Sequence, residues 1–232
     1  MTENEIIYDI LELARGNQII DDVEIDGRQI MFLVNNQRHL WLRNEYNKPG
    51  RKIDPFMEQD LGCVKLIEVD GAECCDTDIS SDCKVLRTEN KIPTTIELHS
   101  GPSITRVGPI KKIDIPFSFI PYNRAQFFGD DKYANNITQA FLLNEYIYLI
   151  TPTTAASFLE YINVRGVFVT PSDAANFSDC DGTTCYNKET STYPISSWMY
   201  AYFKPQVVQQ LMLATQTPKD TAGDSQENLQ KQ

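Results

Sequence analysis

The sequence contains few of the short motifs that identify enzymes. It has only two histidines, His39 and His99, and no Gly-x-Ser-x-Gly segment accompanies either of them. Neither a Gly-rich phosphate loop nor a His-Glu-x-x-His pair occurs, so no motif indicates nucleotide binding or a zinc protease. Two of the many acids could still converge in space to hydrolyse a glycoside, but solvated surface carboxylates are the simpler interpretation. We therefore predict no enzymatic activity, no metal and no cofactor.

Long apolar segments are also absent. No run of about 18 apolar residues occurs, so no transmembrane helix is predicted. The N-terminal residues MTENEII are acidic and already helical in pattern, which is not typical of a secretory signal peptide. We expect a protein that stays in the compartment where it is made, unless it leaves inside a larger particle.

The six cysteines follow no familiar ligand pattern. No Cys-x-x-Cys pair occurs and Cys74 is adjacent to Cys75, so a zinc site would need unusual spacing. Cys180 and Cys185 could form a loop ligand pair, although small buried residues or loop thiols are the simpler interpretation. Since cytosolic thiols are kept reduced, a disulfide framework is not expected.

A basic segment lies within an otherwise acidic chain. The net charge is −11, yet residues 28–52 contain six basic residues and a single acid, Glu45. On a helical projection one arc of this segment is apolar and the opposite side is basic. The apolar arc consists of Ile30, Leu33, Val34, Gln37, Leu40 and Trp41. The predicted partner interface consists of Arg28, Phe32, Arg38, His39, Arg43, Lys48, Arg51 and Lys52.

Three interpretations of this basic segment remain open. It could be a solvated face whose charges neighbour local acids, an arrangement that contributes little to stability. It could line a channel and contact nucleic acid. It could also dock onto an acidic protein surface, where charge sets register and association rate. Met31, Phe32 and Leu42 flank the basic residues, and this mixture is more typical of a protein interface.

The hydrophobic periodicity predicts an α+β fold with a helical region at each end. An N-terminal helical hairpin and a C-terminal helix form a small bundle, and a central antiparallel β-rich domain lies between them. The predicted boundaries are 1–61 for the N-terminal helical region, 62–192 for the β-rich domain, 193–214 for the C-terminal helix packing on the N-terminal helices, and 215–232 for a disordered tail.

Several local features support this assignment. Thr2 and Glu5 have the spacing of a helix-capping box. Residues 140–150 predict a hairpin with its turn at Asn144 and Glu145. Residues 158–170 predict one strand with an irregularity at Gly166. In the C-terminal helix, Ser196 or Ser197 is the expected cap, and Pro205 must kink or restart the helix.

The order of the segments resembles a known family. The segments are QDLGCVKLIEVD, CKVLRTENKIP, SITRVGPI, YINVRGVFVTPSDAANF and YPISSWMYAYFKPQVV. In this order the chain resembles, from about Ile6 to Leu213, a virion structural protein of crAss-like tailed phages, one of those forming rings in the head-to-tail connector and tail. None of these segments is a catalytic or binding signature, so the resemblance transfers no site residue.

The resemblance implies a role in a viral particle. It implies a ring of twelve copies beneath the portal, around the channel through which the genome leaves, and it implies no enzymatic activity. The implied partners are further copies of the chain, the portal protein, other ring and tail proteins, and transiently the genomic DNA. Such a protein would be assembled in the bacterial host cytoplasm and located in the virion.

Two alternatives belong to different classes of function. The first is a tail component that binds or degrades the host cell surface. The second is a zinc-binding regulator that uses Cys74, Cys75, Cys83 or the Cys180–Cys185 loop.

Overall fold

The computed structural model describes residues 1–14, 25–70, 84–111, 114–125, 137–150 and 158–215. Three long helices come from the two ends of this chain: α1 (Glu3–Ala14), α2 (Gly27–Tyr46) and α4 (Ser197–Thr215). A single short helical turn, α3 (Tyr122–Ala125), and two 3-10 turns at Pro55–Met57 and Pro171–Asn176 lie among the described strands.

The strands between these helices form one large sheet and a small hairpin. They are β1 (Gln59–Asp60), β2 (Val64–Asp70), β3 (Lys84–Thr88), β4 (Glu97–Leu98), β5 (Gly101–Pro102), β6 (Ile104–Gly108), β7 (Ser118–Phe119), β8 (Gln139–Leu143), β9 (Tyr146–Ile150) and β10 (Tyr161–Gly166). The large sheet has the order β1-β10-β2-β3-β9-β8-β7, with β6 also pairing β10, and β4 pairs β5 separately. All pairs are antiparallel except β7 with β8. The predicted α+β class is confirmed.

The three long helices pack on one another, and α2 also packs on β4 of the small hairpin. Their shared core includes Ile6 and Ile10 of α1, Val34 of α2 and Phe203 of α4, all buried. The capping box is present, since the Glu5 amide donates to Thr2 Oγ1 and the Thr2 amide donates to a Glu5 carboxylate oxygen. The helices therefore act as a bundle whose inner side is apolar.

Local turn chemistry explains the β8–β9 hairpin. Asn144 and Glu145 have φ values of 50° and 67°, the left-handed pair that a tight hairpin with right-handed twist requires. The predicted hairpin is thus confirmed, even though neither residue is a glycine. Glu145 is held there by Lys91 and Thr94, whose side chains donate to its carboxylate.

Gly166 lies at a bulge, as the sequence predicts. The pairing of β10 with β6 shifts register between Arg165 and Gly166. A Cβ at position 166 would lie 2.8 Å from the Ser103 carbonyl oxygen, so only glycine allows this approach.

Two expectations about α4 are resolved. Pro205 lies inside the helix, which continues through it to Thr215. Ser196 directly precedes the helix and its carbonyl accepts from the Tyr200 amide, but its buried hydroxyl makes no hydrogen bond in the described part of the chain. Ser196, one of the two expected caps, therefore occupies the cap position through its backbone, but its side chain satisfies no helix donor.

The expectation that the thiols stay unpaired is also wrong for one pair. Cys63 and Cys180 are joined by a disulfide, with their Cα atoms 5.2 Å apart. Cys74, Cys75 and Cys83 of the zinc-binding alternative, and the predicted tail beyond Thr215, lie outside the described residues. The domain boundaries stay a prediction.

Candidate interaction surface on helix α2

Helix α2 begins and ends where its sequence dictates. Asp26 precedes the first turn and its carboxylate accepts from the Arg28 amide at 3.0 Å, which satisfies an otherwise unpaired helix donor. The Asn47 amide closes the last turn onto Arg43 and Glu45, and Pro49 follows. The helix is therefore shorter than the basic segment 27–52, and Lys48, Arg51 and Lys52 lie beyond its end.

The buried side of α2 differs from the predicted apolar arc. Ile30, Val34 and Gln37 are buried as predicted. Leu40, assigned to the same arc, is 51% exposed, whereas Leu42 is buried. The helix is turned toward the side that carries Leu42 because Arg38 also enters the interior.

Arg38 is fully buried, which corrects its assignment to the partner interface. Its Nε donates to the Pro194 carbonyl at 2.9 Å and its Nη1 donates to the Phe168 carbonyl at 2.7 Å. Its guanidinium carbon lies 5.7 Å from the centre of the Tyr193 ring. Burial lowers the pKa of this guanidinium. Arg38 thus ties α2 to the strand segment after β10 and to the segment that precedes α4.

Arg38 and the polar side chains near it form a set that we call the Arg38 joint (Glu3, Asn35, Arg38, Tyr186, Tyr193). All of these residues are buried except Asn35, which is half-buried. The Tyr186 hydroxyl donates to Glu3 at 2.9 Å, and the Tyr193 hydroxyl donates to Asn35 Oδ1. Burial raises the pKa of Glu3, and burial and the nearby Glu3 carboxylate raise the pKa of Tyr186. The joint therefore links α1, α2 and the segment before α4 through hydrogen bonds in the interior.

The opposite side of α2 is open, and we call it the outward face (Arg28, Phe32, Arg43). Phe32 is 64% exposed, and Arg28 and Arg43 are exposed on the same side of the helix, about one turn before it and about three turns after it. No side-chain hydrogen bond or ion pair joins any of the three to another described residue. These three residues therefore keep the free charge and apolar area that the sequence predicts for an interface.

His39 lies within the arc of this face on the helical projection but is half-buried. Burial lowers its pKa, and the neighbouring positive charges of Arg43 and Arg38 lower it further. His39 therefore favours its neutral form and adds no positive charge near neutral pH.

The basic residues after α2 are partly engaged within the chain. Lys48 and Arg51 both pair with Glu45, Arg51 at 3.3 Å. The hydrogen bond from Lys48 lowers the pKa of Glu45, so this carboxylate is ionised and neutralises part of the local charge. Lys52 is exposed. Arg28 and Arg43 are consequently the stronger candidates for contact with a partner.

The sequence prediction missed a second exposed surface, the outward stripe of α4 (Trp198, Tyr202, Leu213). Trp198 is 58% and Tyr202 is 72% exposed, while Met199, Phe203 and Val207 occupy the buried side. The Trp198 ring lies edge-on to Trp41 of α2 at 4.9 Å between centres. The sequence signal that could have revealed this surface is the presence of apolar residues on both sides of α4, since a helix of that kind needs partners on both sides.

A cleft of about 570 Å³ between the β8–β9 turn and the β4–β5 hairpin contains two carboxylates, Glu97 and Glu145. Glu145 accepts from Lys91 at 3.1 Å and from Thr94 at 3.0 Å, and these bonds lower its pKa. A general acid for glycoside hydrolysis needs the opposite shift. The cleft therefore gives no support to a cell-surface hydrolase.

Metal and membrane sites find no support in the described ranges either. No cluster of three or more potential ligand side chains from His, Cys, Asp and Glu occurs among residues that the structure describes. Within the same ranges, every helix is too short or too polar to cross a membrane.

Comparison with known proteins gives one match that covers nearly the whole chain. A family model described as phage tail ring protein 2 matches residues 5–229. The match includes the three long helices, the sheet and the outward face of α2. The sequence has no significant match among curated proteins.

Proposed function

Because the chain belongs to the crAss-like phage tail ring protein 2 family, and so to the structural proteins of the phage tail, we propose that it closes rings with its own copies and links the portal to the tail around the DNA channel. Its role is structural and not catalytic. Assembly takes place in the host cytoplasm, and the ring contains twelve copies, as the resemblance to crAss-like ring proteins implies.

The outward face of α2 is the observation that carries this proposal. Arg28, Phe32 and Arg43 are exposed on a helix whose other side is anchored by the Arg38 joint. A rigid helix presents a docking surface without a large loss of conformational freedom on binding. An aromatic residue between two arginines is typical of the residues that dominate protein interfaces.

DNA in the channel is the competing partner for this face. Two arginines could neutralise two phosphates, and this contact would weaken steeply with salt. Phe32, however, would gain little from a phosphate backbone, and the chain as a whole carries a net charge of −11 that repels DNA. The face therefore fits an acidic protein surface better.

The outward stripe of α4 supplies a second surface of different character. Head-to-tail closure of a ring requires two different contact surfaces on each subunit, and stacking on other tail proteins requires more. Exposed Trp198 and Tyr202 have the large, rigid side chains that anchor stable interfaces. We assign this stripe to axial contact with another ring or tail protein.

Charge reversal on the outward face tests the proposal. A double variant, Arg28→Glu with Arg43→Glu, would be supplied to a phage that lacks its own copy of the gene, and tails would be examined by electron microscopy. We expect a folded protein that is missing from tails. The control is Arg124→Glu, an exposed arginine on α3 whose reversal leaves the outward face intact. Normal tails with the double variant would remove this face from the interface.

A further inference from the structure

The outward side of α1 complements the outward face of α2 in charge, and both carry an exposed aromatic residue. It presents Glu5, Tyr8 and Glu12, and Tyr8 is 78% exposed. Helix α1 contains no basic residue. Tyr8 and Glu12 are one turn apart, as are Arg28 and Phe32 on α2. Each helix therefore presents an aromatic residue with a charge one turn away, and the two charges are opposite.

We propose that α1 of one copy packs on the outward face of α2 of the next copy, with Phe32 against Tyr8 and Arg28 paired with Glu12. This contact is the lateral one that closes the ring, and it rests on the proposed ring function. It commits the basic face to a second copy of this chain because the chain itself carries the complementary acidic and aromatic surface.

The contact cannot form within one chain. On α1, Ile7 faces α2, where it lies 3.4 Å from the position of a Cβ at Gly27, and Asp9 faces α4 through Lys204. Tyr8 and Glu12 therefore point away from both neighbouring helices. On α2, Gly27 faces α1 and Trp41 faces α4, so Phe32 also points outward. Because the outward side of α1 and the outward face of α2 point in different directions within one subunit, they can contact each other only between subunits. Such a head-to-tail contact can close a ring by rotation.

The four residues are available for this contact. Arg28 and Glu12 have no side-chain hydrogen bond or ion pair with other described residues, so neither charge must be released from a described partner first. Asp9 differs, since it accepts from Tyr200 at 2.6 Å and pairs with Lys204. Packing of Phe32 on Tyr8 would exclude water from the pair of charges and strengthen their attraction.

A charge swap tests the pairing directly. Arg28 lies in the first turn of α2 and Glu12 in the last turn of α1, so an acid at position 28 and a base at position 12 both suit the helix dipoles. Folding should therefore tolerate Arg28→Glu, Glu12→Arg and the combination. We expect each single variant to reduce the yield of assembled tails about tenfold, and the combination to restore it to within about twofold. Glu160→Arg, at an exposed acid next to β10 and outside both helices, is the control.

The swap separates failure of this pairing from failure of the ring function. If Arg28→Glu reduces assembly while Glu12→Arg does not, or if the combination is as defective as the single variants, the pairing is wrong and the outward face binds another partner. If neither single variant reduces assembly, both the pairing and the interface role of Arg28 are wrong.

Crosslinking in assembled tails identifies the neighbour independently. A photoreactive residue at Phe32, in tails assembled from a mixture of isotopically light and heavy protein, should give light–heavy crosslinks to α1. The same residue at exposed Ile115 should give none to α1. Crosslinks from position 32 only to a different protein would overturn the pairing and preserve the interface. Crosslinks only to DNA would overturn both.

Discussion

Arg38 and Arg43 lie on the same helix, little more than one turn apart, and one is fully buried while the other is exposed. Arg38 donates from Nε and Nη1 to two backbone carbonyls from distant parts of the chain, while its buried Nη2 has no partner among the described residues. Arg43 contacts no described acid and lies on the outward face with Phe32. Arginine therefore stabilises the fold on one side of α2, at Arg38, and remains available to a partner on the other side, at Arg43.

The difference between these two sides has an energetic basis. Removing a charge from water is costly, and no carboxylate of the described residues forms an ion pair with Arg38. Its hydrogen bonds and the Tyr193 ring therefore offset this cost. A surface arginine has no such cost and contributes little to stability until a partner covers it. Stability and assembly should thus depend on different sides of one helix.

The largest expected effect comes from the Arg38 joint. Arg38→Met should lower the free energy of unfolding by about 3 kcal/mol or more, because the Phe168 and Pro194 carbonyls would remain buried without their donors. Arg43→Met should change it by less than about 0.5 kcal/mol. Urea denaturation of the two variants measures the contrast, and equal losses would show that the two sides do not differ. If Arg38→Met is insoluble, the more conservative Arg38→Lys provides the same comparison.

A smaller effect is expected at Tyr193. Tyr193→Phe removes the hydrogen bond to Asn35 and should cost about 1 kcal/mol, because the Asn35 oxygen loses its partner while the ring is retained. Phe32→Leu on the outward face is the matched control and should leave the unfolding midpoint within error. A larger loss from the Phe32 variant than from the Tyr193 variant would contradict the division between the two sides.

The smallest expected effect is a pH dependence at Glu3. Burial raises the pKa of Glu3 in the folded state, so folding favours its protonated form. The stabilisation from this group is fully present below its unfolded pKa of 4.5 and is lost as the pH rises through the higher folded value. Relative to Glu3→Gln, the wild-type protein should therefore become more stable as the pH falls from 7 toward 4.5. Thermal unfolding at several pH values compares the two proteins, and the same pH dependence in both would contradict the prediction.

Local sequence patterns determined the parts of this protein that depend on neighbouring residues. The capping box at Thr2 and Glu5, the hairpin turn at Asn144 and Glu145, and the bulge at Gly166 all lie where their patterns predict. The order of the segments also identified the family. The outward position of Arg28, Phe32 and Arg43 followed from helical periodicity alone, since these residues oppose the apolar arc.

The tertiary structure decided what depends on distant residues. Arg38 is separated by 130 residues from Phe168 and by 156 from Pro194, and Cys63 by 117 from Cys180. Helical periodicity cannot reveal such partners, because it indicates only which side of a helix a residue occupies. The charge of arginine, in turn, predicts a surface position. Only the folded chain brings two backbone carbonyls to the place where a buried guanidinium can donate to them. This contact distinguishes the side of α2 that carries Arg38 from the outward face.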